Sequence, residues 1–418
     1  MNFDVQYIRE QFPAMNKMVN GHPAAYLDGP GGTQVPQRVI DKIVDYLINH
    51  NSNIHGVFET SMDTDQMILD ARKTFADFFG CSWEEVSFGA NSTSINFNLS
   101  HALARDLKPG DEILITDIDH EANRGPWEIL EERGVIVKNV KVDLEKCIVD
   151  MEDFKSKITP KTKIVAFNYA SNGVGSISPV KEMVKMAQDM GAVTIVDAVH
   201  YALHGPIDVK DMNTDYLFCS AYKFFGPHMG LLYAKKDRME GLRTIKVLEQ
   251  EDWAPLKFET GTLNHEGIAG AAEAVEFIAD LGAKYEEAFK DELEGLEGRR
   301  RKIVAGMLSL EAYEAPIADY FIEELVKIQG LKIYGPPKGF PRTSTVSFTL
   351  DNKHPREIAE YLASKGIFVW DGDFFATKLV KVLGLRERGG LVRVGLAPYN
   401  TMEEIERTIE AIKEIANM

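Results

Sequence analysis

Between about residues 65 and 235 the chain alternates two hydrophobic periods. Over 65–79, 94–106, 127–133 and 180–190, apolar residues recur at the three- and four-residue spacing that gathers them on one helical face. Between these stretches lie short, nearly continuous apolar runs at 85–88, 112–116, 135–140, 163–168, 193–197, 216–219 and 230–234. Runs of that length read as strands covered on both faces. Strands alternating with helices require crossover connections, so the pattern predicts an α/β fold with a mostly parallel, seven-stranded sheet. Gly134 and Gly191, each just past a helical stretch, are expected C-caps.

After Asn264 the pattern changes. An Ala-rich helical stretch at 267–289 leads to a charged helix at 291–308. A Gly335-Pro336-Pro337 loop, an alternating strand at 344–350, a helix at 355–366, a strand at 391–395 and a helix at 402–415 follow. This succession predicts a smaller α+β C-terminal domain. A chain of 418 residues is long enough for two cores. The expected division is an N-terminal segment (1–21) packing with the small domain, a large domain (22–280) and the small domain (281–418).

Composition narrows the function classes. The chain is 44% hydrophobic and 27% charged, ordinary for a globular enzyme. Its formal charge of −17 argues against nucleic acid or an anionic membrane as the main partner. Cys81, Cys147 and Cys219 have no metal-ligand spacing, and a sparse, odd count fits a reducing cytoplasm. The first twenty residues lack the apolar core of a signal peptide, and no apolar run reaches membrane-spanning length. A cytoplasmic location is therefore expected.

The candidate chemistry sits at strand ends, where open parallel sheets collect their ligands. Asp197 closes one apolar run, and Lys223 follows another within Ser220-Ala221-Tyr222-Lys223. An acid and a lysine so placed suit a pyridoxal phosphate site: the lysine condenses with the aldehyde and the acid keeps the pyridine nitrogen protonated. The same pair also reads as a loop lysine and a helix cap. Asn91, His120, Asn172, His200 and Ser220 fall at or just after strand ends as well. Gly89-Ala90-Asn91-Ser92-Thr93 opens a helix, which suits a phosphate dianion, with Ser92 adding a hydroxyl. Ser220 and Tyr222 are further phosphate donors.

Gly29-Pro30-Gly31-Gly32-Thr33 is a tight loop through which backbone can approach a substrate. Neither a Walker loop nor Gly-x-Gly-x-x-Gly after a strand is present, which counts against a nucleotide-binding protein. Arg393 stands inside the apolar strand Leu391-Val392-Arg393-Val394-Gly395 and should meet a carboxylate. That partner is either structural or the α-carboxylate of an amino acid.

In order and spacing these residues resemble the class V aminotransferases, specifically the cysteine desulfurase and selenocysteine lyase branch. The likeness runs over nearly the whole chain, from Tyr26-Leu27-Asp28 through His55, Asn91-Ser92, Asp119-His120-x-Ala122-Asn123, Ser171-Asn172 and Val196-Asp197-Ala198-Val199-His200 to Ser220-Ala221-Tyr222-Lys223, Gly261-Thr262 and Arg393 with Pro398-Tyr399-Asn400.

The resemblance implies the fold-type-I architecture of pyridoxal phosphate enzymes, an α-amino-acid substrate and a homodimer with active sites at the subunit interface. It implies catalytic roles for Lys223, His120 and Asp197. Cofactor contacts are implied for Asn91, Ser92, His120, Asn172, Asp197, His200, Ser220, Tyr222, Lys223 and Thr262, with Thr262 reaching the neighbouring subunit's phosphate. Substrate contacts are implied for Gly31, His55, Asn172 and Arg393, and no metal.

Two departures bear on the reaction. The branch carries a persulfide-forming cysteine where Val369-Trp370-Asp371-Gly372-Asp373-Phe374-Phe375 has Phe375, and an arginine where this chain has Trp370. The expectation is a desulfurase-like C–S or related β-elimination lyase without that cysteine. Transamination, epimerisation and a non-catalytic, cofactor-binding regulatory role stay open.

Overall fold

The computed structural model describes residues 1–418. The seven apolar runs form one sheet from β1 (Val86–Gly89), β2 (Glu112–Thr116), β3 (Ile136–Val140), β4 (Thr162–Asn168), β5 (Val193–Asp197), β6 (Tyr216–Ser220) and β7 (Gly230–Ala234). Their spatial order is β1-β7-β6-β5-β4-β2-β3. Neighbours from β6 to β3 run parallel, and β7 alone is antiparallel to both of its neighbours. All residues of β2, β6 and β7 are buried, as two-sided helical cover demands.

Direction and register decide where chemistry can occur. Six strands end on one edge, where Asp197 lies level with Asn168 and Ser220 with Gly230, itself level with Gly89. Gly230 is required there: a Cβ on it would lie 2.5 Å from the Asn91 carbonyl carbon. Gly134 and Gly191 take left-handed conformations (φ 79° and 77°), ending the 3-10 turn Ile129–Arg133 and the helix Val180–Asp189.

The C-terminal layer is an antiparallel sheet of β8 (Leu331–Tyr334), β9 (Thr345–Leu350), β10 (Trp370–Gly372) and β11 (Leu391–Gly395), ordered β8-β9-β11-β10. Ala25–Tyr26 pairs in parallel with Ile367–Phe368, and Asp28 bridges to Gly395. Ala25 and Leu27 accordingly pack in the core of this layer. The turn Gly29–Gly31 is thereby delivered to the end of β11.

The helix Gly298–Leu325 starts later and ends later than the periodicity predicts. Its first half packs Ile303, Met307 and Leu310 into the large core, and its second half packs Ile317, Phe321 and Leu325 into the C-terminal one. Pro316 removes one helical donor within it; burial of each large side chain returns about 1.5–3 kcal/mol. The N-terminal segment touches both units. Phe12 packs against Phe225, Phe277 and Tyr399 with ring centroids 5.4, 5.6 and 5.1 Å away, and Arg9 pairs with Glu404 at 2.8 Å.

Candidate active site

The carboxyl edge of the large sheet and the end of the small one enclose a cavity of about 460 Å³. Gly31, Ser92, His120, Asn172, Asp197, His200, Tyr222, Lys223 and Arg393, widely separated in sequence, all line it.

Lys223 is delivered by the single 3-10 turn Ala221–Lys223 directly after β6. The residue is half-buried, but its ammonium is enclosed, donating to the Pro30 carbonyl and lying 4.9 Å from the Tyr222 ring. Burial, then the charge of Arg393, lowers its pKa to about 7 against the opposing pull of Asp197 and Asp28. Asp197, buried at the end of β5, accepts from the Val199 N–H at 2.9 Å. Burial raises it to about 7, with Asp119 adding to the shift.

His120 accepts from the Ala122 N–H at Nδ1 (3.0 Å), which leaves its ring proton on Nε2. Burial first, then Lys223 and Arg393, pushes its pKa down to about 4, so the ring is neutral at pH 7. Asp119 holds this loop by accepting from the Thr116 N–H and hydroxyl, both at 2.8 Å.

Ser92 and Thr93 bring the first turn of helix Ser92–Leu103 to the cavity. The Ser92 N–H donates to Ser220 Oγ at 3.3 Å. His200 Nε2 lies 3.1 Å from both the Thr343 and Thr345 hydroxyls, tying the end of β5 to the small sheet. The Tyr222 ring stacks on His228 at 4.9 Å.

Arg393 is buried, donates to the Asn172 carbonyl at 2.8 Å and stands over the Phe374 ring at 4.2 Å. The carboxylate expected for it is absent from the protein: it makes no ion pair, and its Nε has no partner. Burial lowers its pKa to about 9. Asn172 donates to the Phe374 carbonyl at 2.9 Å, leaving its Oδ1 enclosed without a partner. Asp28, which sequence reasoning placed in an opening strand without a role, has an enclosed, unpartnered Oδ1. Burial raises Asp28 to about 6 against the pull of Arg393 and Lys223.

Four of the expected residues lie outside the cavity lining. Asn91 is exposed and caps its helix by accepting from the Ser94 N–H at 2.8 Å. Ser220 is fully buried beneath Ser92. His55 is turned out to Asp65 at 3.2 Å. Thr262 is exposed and lines a separate 280 Å³ cavity with Ser94, Asn98 and Thr260.

The lining also includes the run from Trp370 to Phe375, with Asn168 on the sheet edge. Phe375 and Trp370 were visible in sequence as replacements, and their position at a cavity wall follows from the pairing of β10 with β11. No cysteine is among the lining residues. Cys147 and Cys219 are buried, Cys81 is half-buried, all three are free, and burial raises each thiol's pKa.

The unmet groups fit pyridoxal phosphate. The helix N-terminus with Ser92 and Thr93 suits its phosphate, Asp197 its ring nitrogen, Lys223 its aldehyde and His120 one face of its ring. No cluster of three acidic, histidine or cysteine side chains is arranged to hold a metal ion.

Comparison with known proteins agrees over the full length. The family Aminotransferase class-V matches residues 25–297 and 303–408. The chain is similar to a cysteine desulfurase of Haloferax volcanii, with 31% identity over 98% of this chain and 96% of that protein. A cysteine desulfurase of Pectobacterium carotovorum is 28% identical over 99% of this chain and 98% of its own. Among solved structures, a cysteine desulfurase from Thermococcus onnurineus superimposes with a TM-score of 0.86, covering 99% of this chain and 98% of that one at 26% identity. With a fold-type-I sheet, a full-length family match and a cavity that fits the cofactor, the chain belongs to the class V aminotransferases, pyridoxal-phosphate-dependent enzymes, and is cysteine desulfurase-like within them.

Proposed function

We propose that this enzyme removes the α-proton of an amino acid and breaks its Cβ–S bond, releasing the sulfur fragment without passing it to a cysteine of its own. The observation that carries this reading is Arg393, buried and without an ion pair in the cavity that Lys223 and Asp197 share, where no cysteine lies. A buried guanidinium left unpaired is costly, and the α-carboxylate of an amino acid answers it bidentately.

In this reading Arg393, steadied by the Asn172 carbonyl, orients the carboxylate, and Phe374 shields that end from water. The Lys223 amine, its pKa near 7 through burial, is available in neutral form to accept the Cα proton at Nζ. When bound, the cofactor supplies a sink for the electron pair left at Cα. His120, neutral and carrying its proton on Nε2, provides a donor beside the departing sulfur.

The proposed working unit is a homodimer in which Thr262 reaches the neighbouring subunit's phosphate site. Its exposure on this chain, away from the cavity, supports that reading. A cytoplasmic location is proposed on the three free cysteines. No helix is long and apolar enough to cross a membrane.

The test is a visible spectrum of the protein incubated with pyridoxal phosphate, before and after borohydride, for the wild type and Lys223→Ala. Product analysis on a panel of amino acids follows. Pyruvate with a thiol or sulfide marks elimination; keto-acid formation with amino transfer, or simple inversion at Cα, marks the other outcomes. A wild type that stays colourless, or one that forms no pyruvate from any sulfur amino acid, defeats the reading.

A further inference from the structure

We infer that Trp370 and Phe375 form an aromatic gate that selects amino acids whose sulfur carries a bulky apolar substituent, in preference to cysteine with its free thiol. The inference rests on the elimination reading above and adds the substrate class. Three observations carry it.

First, Phe374 and Phe375 both hold left-handed backbone (φ 56° each), a conformation that large side chains rarely take. The surroundings fix it from several sides. Asn172 donates to the Phe374 carbonyl at 2.9 Å, the Glu121 N–H donates to the Phe375 carbonyl at 2.7 Å, and the Phe375 N–H donates to Asp373 Oδ1 at 3.1 Å. Arg393 covers the Phe374 ring. Strain that persists under so many constraints is a mark of functional sites.

Second, the residue so held is not used for packing. Phe375 remains 67% exposed and Trp370 49% exposed, although both line the cavity. The Phe375 ring centroid lies 5.6 Å from that of His120, and Trp370 Nε1 lies 2.1 Å from where a Cβ on Gly31 would be. On the single chain these are two large apolar surfaces beside one cavity, placed to cover an apolar group of a ligand.

Third, the charges at the mouth are already engaged. Asp371 pairs with Arg356 at 3.0 Å. Asp373 accepts from the Phe375 N–H and from the Thr377 hydroxyl (2.9 Å). Apart from Lys223 and Arg393, which the reaction and the α-carboxylate engage, the cavity lining holds no lysine or arginine to receive an anionic substituent. A cavity of about 460 Å³ lies within the ~300–1,000 Å³ range of pockets that take drug-sized ligands.

The reaction is balanced without an oxidant or reductant. In an S-substituted cysteine the Cα–H and Cβ–S bonds break, sulfur leaves with the electron pair and takes a proton, and the thiol departs. Water then converts the three-carbon remainder to pyruvate and ammonium.

The experiment uses the full chain loaded with pyridoxal phosphate and three probes: L-cysteine, S-methyl-L-cysteine and S-benzyl-L-cysteine. Binding is read by quenching of tryptophan fluorescence and turnover by pyruvate. The expected result is S-benzyl-L-cysteine binding at least tenfold tighter than S-methyl-L-cysteine, with kcat/KM in the same order and cysteine lowest. Phe375→Ala and Trp370→Ala should each reduce the benzyl-to-methyl ratio at least fivefold, mainly through KM. Phe375→Leu, which keeps an apolar side chain, should retain much of it and serves if the alanine variant fails to fold. Equal binding of the three probes, or a ratio unchanged in the variants, overturns the gate. Selective binding without pyruvate sinks the elimination reading while supporting the gate.

Discussion

In water the Lys223 amine would hold its proton to about pH 10.4; in the folded chain burial and Arg393 bring it to about 7. Between these values the unfolded chain binds more protons at this residue than the folded one. Its contribution to stability therefore rises with pH across that window. Thermal denaturation of the cofactor-free protein and of Lys223→Met at pH 7, 8 and 9 should show the wild type gaining on the variant by several degrees. A constant difference would contradict the placement of the amine. Asp197 has the opposite sign over a lower range. Its pKa is raised to about 7, so the folded chain holds the extra proton and its contribution falls as pH rises from about 4 to 7. Lys223, Asp197 and Arg393 were legible as residues because each breaks a local pattern: a charge at a strand end or inside an apolar strand. Asp28 was not, since nothing near it in sequence says that its Oδ1 will be enclosed with Arg393 and Lys223 close by.

Elements were legible where one environment governs them. The seven large-sheet strands are sandwiched between helices, so apolar runs alone locate them to within a residue or two. The helix Gly298–Leu325 answers to two cores in turn, and its apolar face shifts along its length, so a single period ends too soon. Two glycines at the site separate flexible from rigid contact. The three atoms nearest a Cβ at Gly31 all belong to the Trp370 indole, a side chain that can swing aside, so Gly31→Ala should leave Tm within a few degrees while shifting Trp370 fluorescence. A Cβ at Gly230 meets Asn91 backbone, which has no such freedom. Gly230→Ala should cost about 1–3 kcal/mol and weaken cofactor binding, because it displaces the turn that opens helix Ser92–Leu103. Equal effects of the two substitutions on Tm and on cofactor Kd would refute this distinction.

At the scale of the whole molecule, the surface carries apolar residues that one chain leaves uncovered. Ile40 and Val44 on helix Gln37–Asp45, Leu47 and Ile48 on the turn Tyr46–His50, and Val57, Phe58 and Met62 beyond are exposed, Val57 almost completely. Exposure of so many large apolar side chains in one stretch favours a covering surface, and the proposed second copy supplies one. Sequence periodicity could not isolate this face, because an apolar residue facing a partner looks the same as one facing the core. If the dimer both covers this stretch and brings Thr262 to the neighbouring phosphate site, two substitutions separate its effects. Leu47→Asp with Ile48→Asp should produce monomer at micromolar concentration and lower pyridoxal phosphate affinity together. Thr262→Ala should lower that affinity several-fold while the mass in solution stays that of a dimer, because one hydroxyl donor is lost and the apolar contact is kept. Sedimentation equilibrium with fluorescence titration of the cofactor reads both quantities. A wild type that sediments as a monomer with full cofactor affinity, or a Thr262→Ala variant that binds cofactor as the wild type does, would confine the site to a single chain.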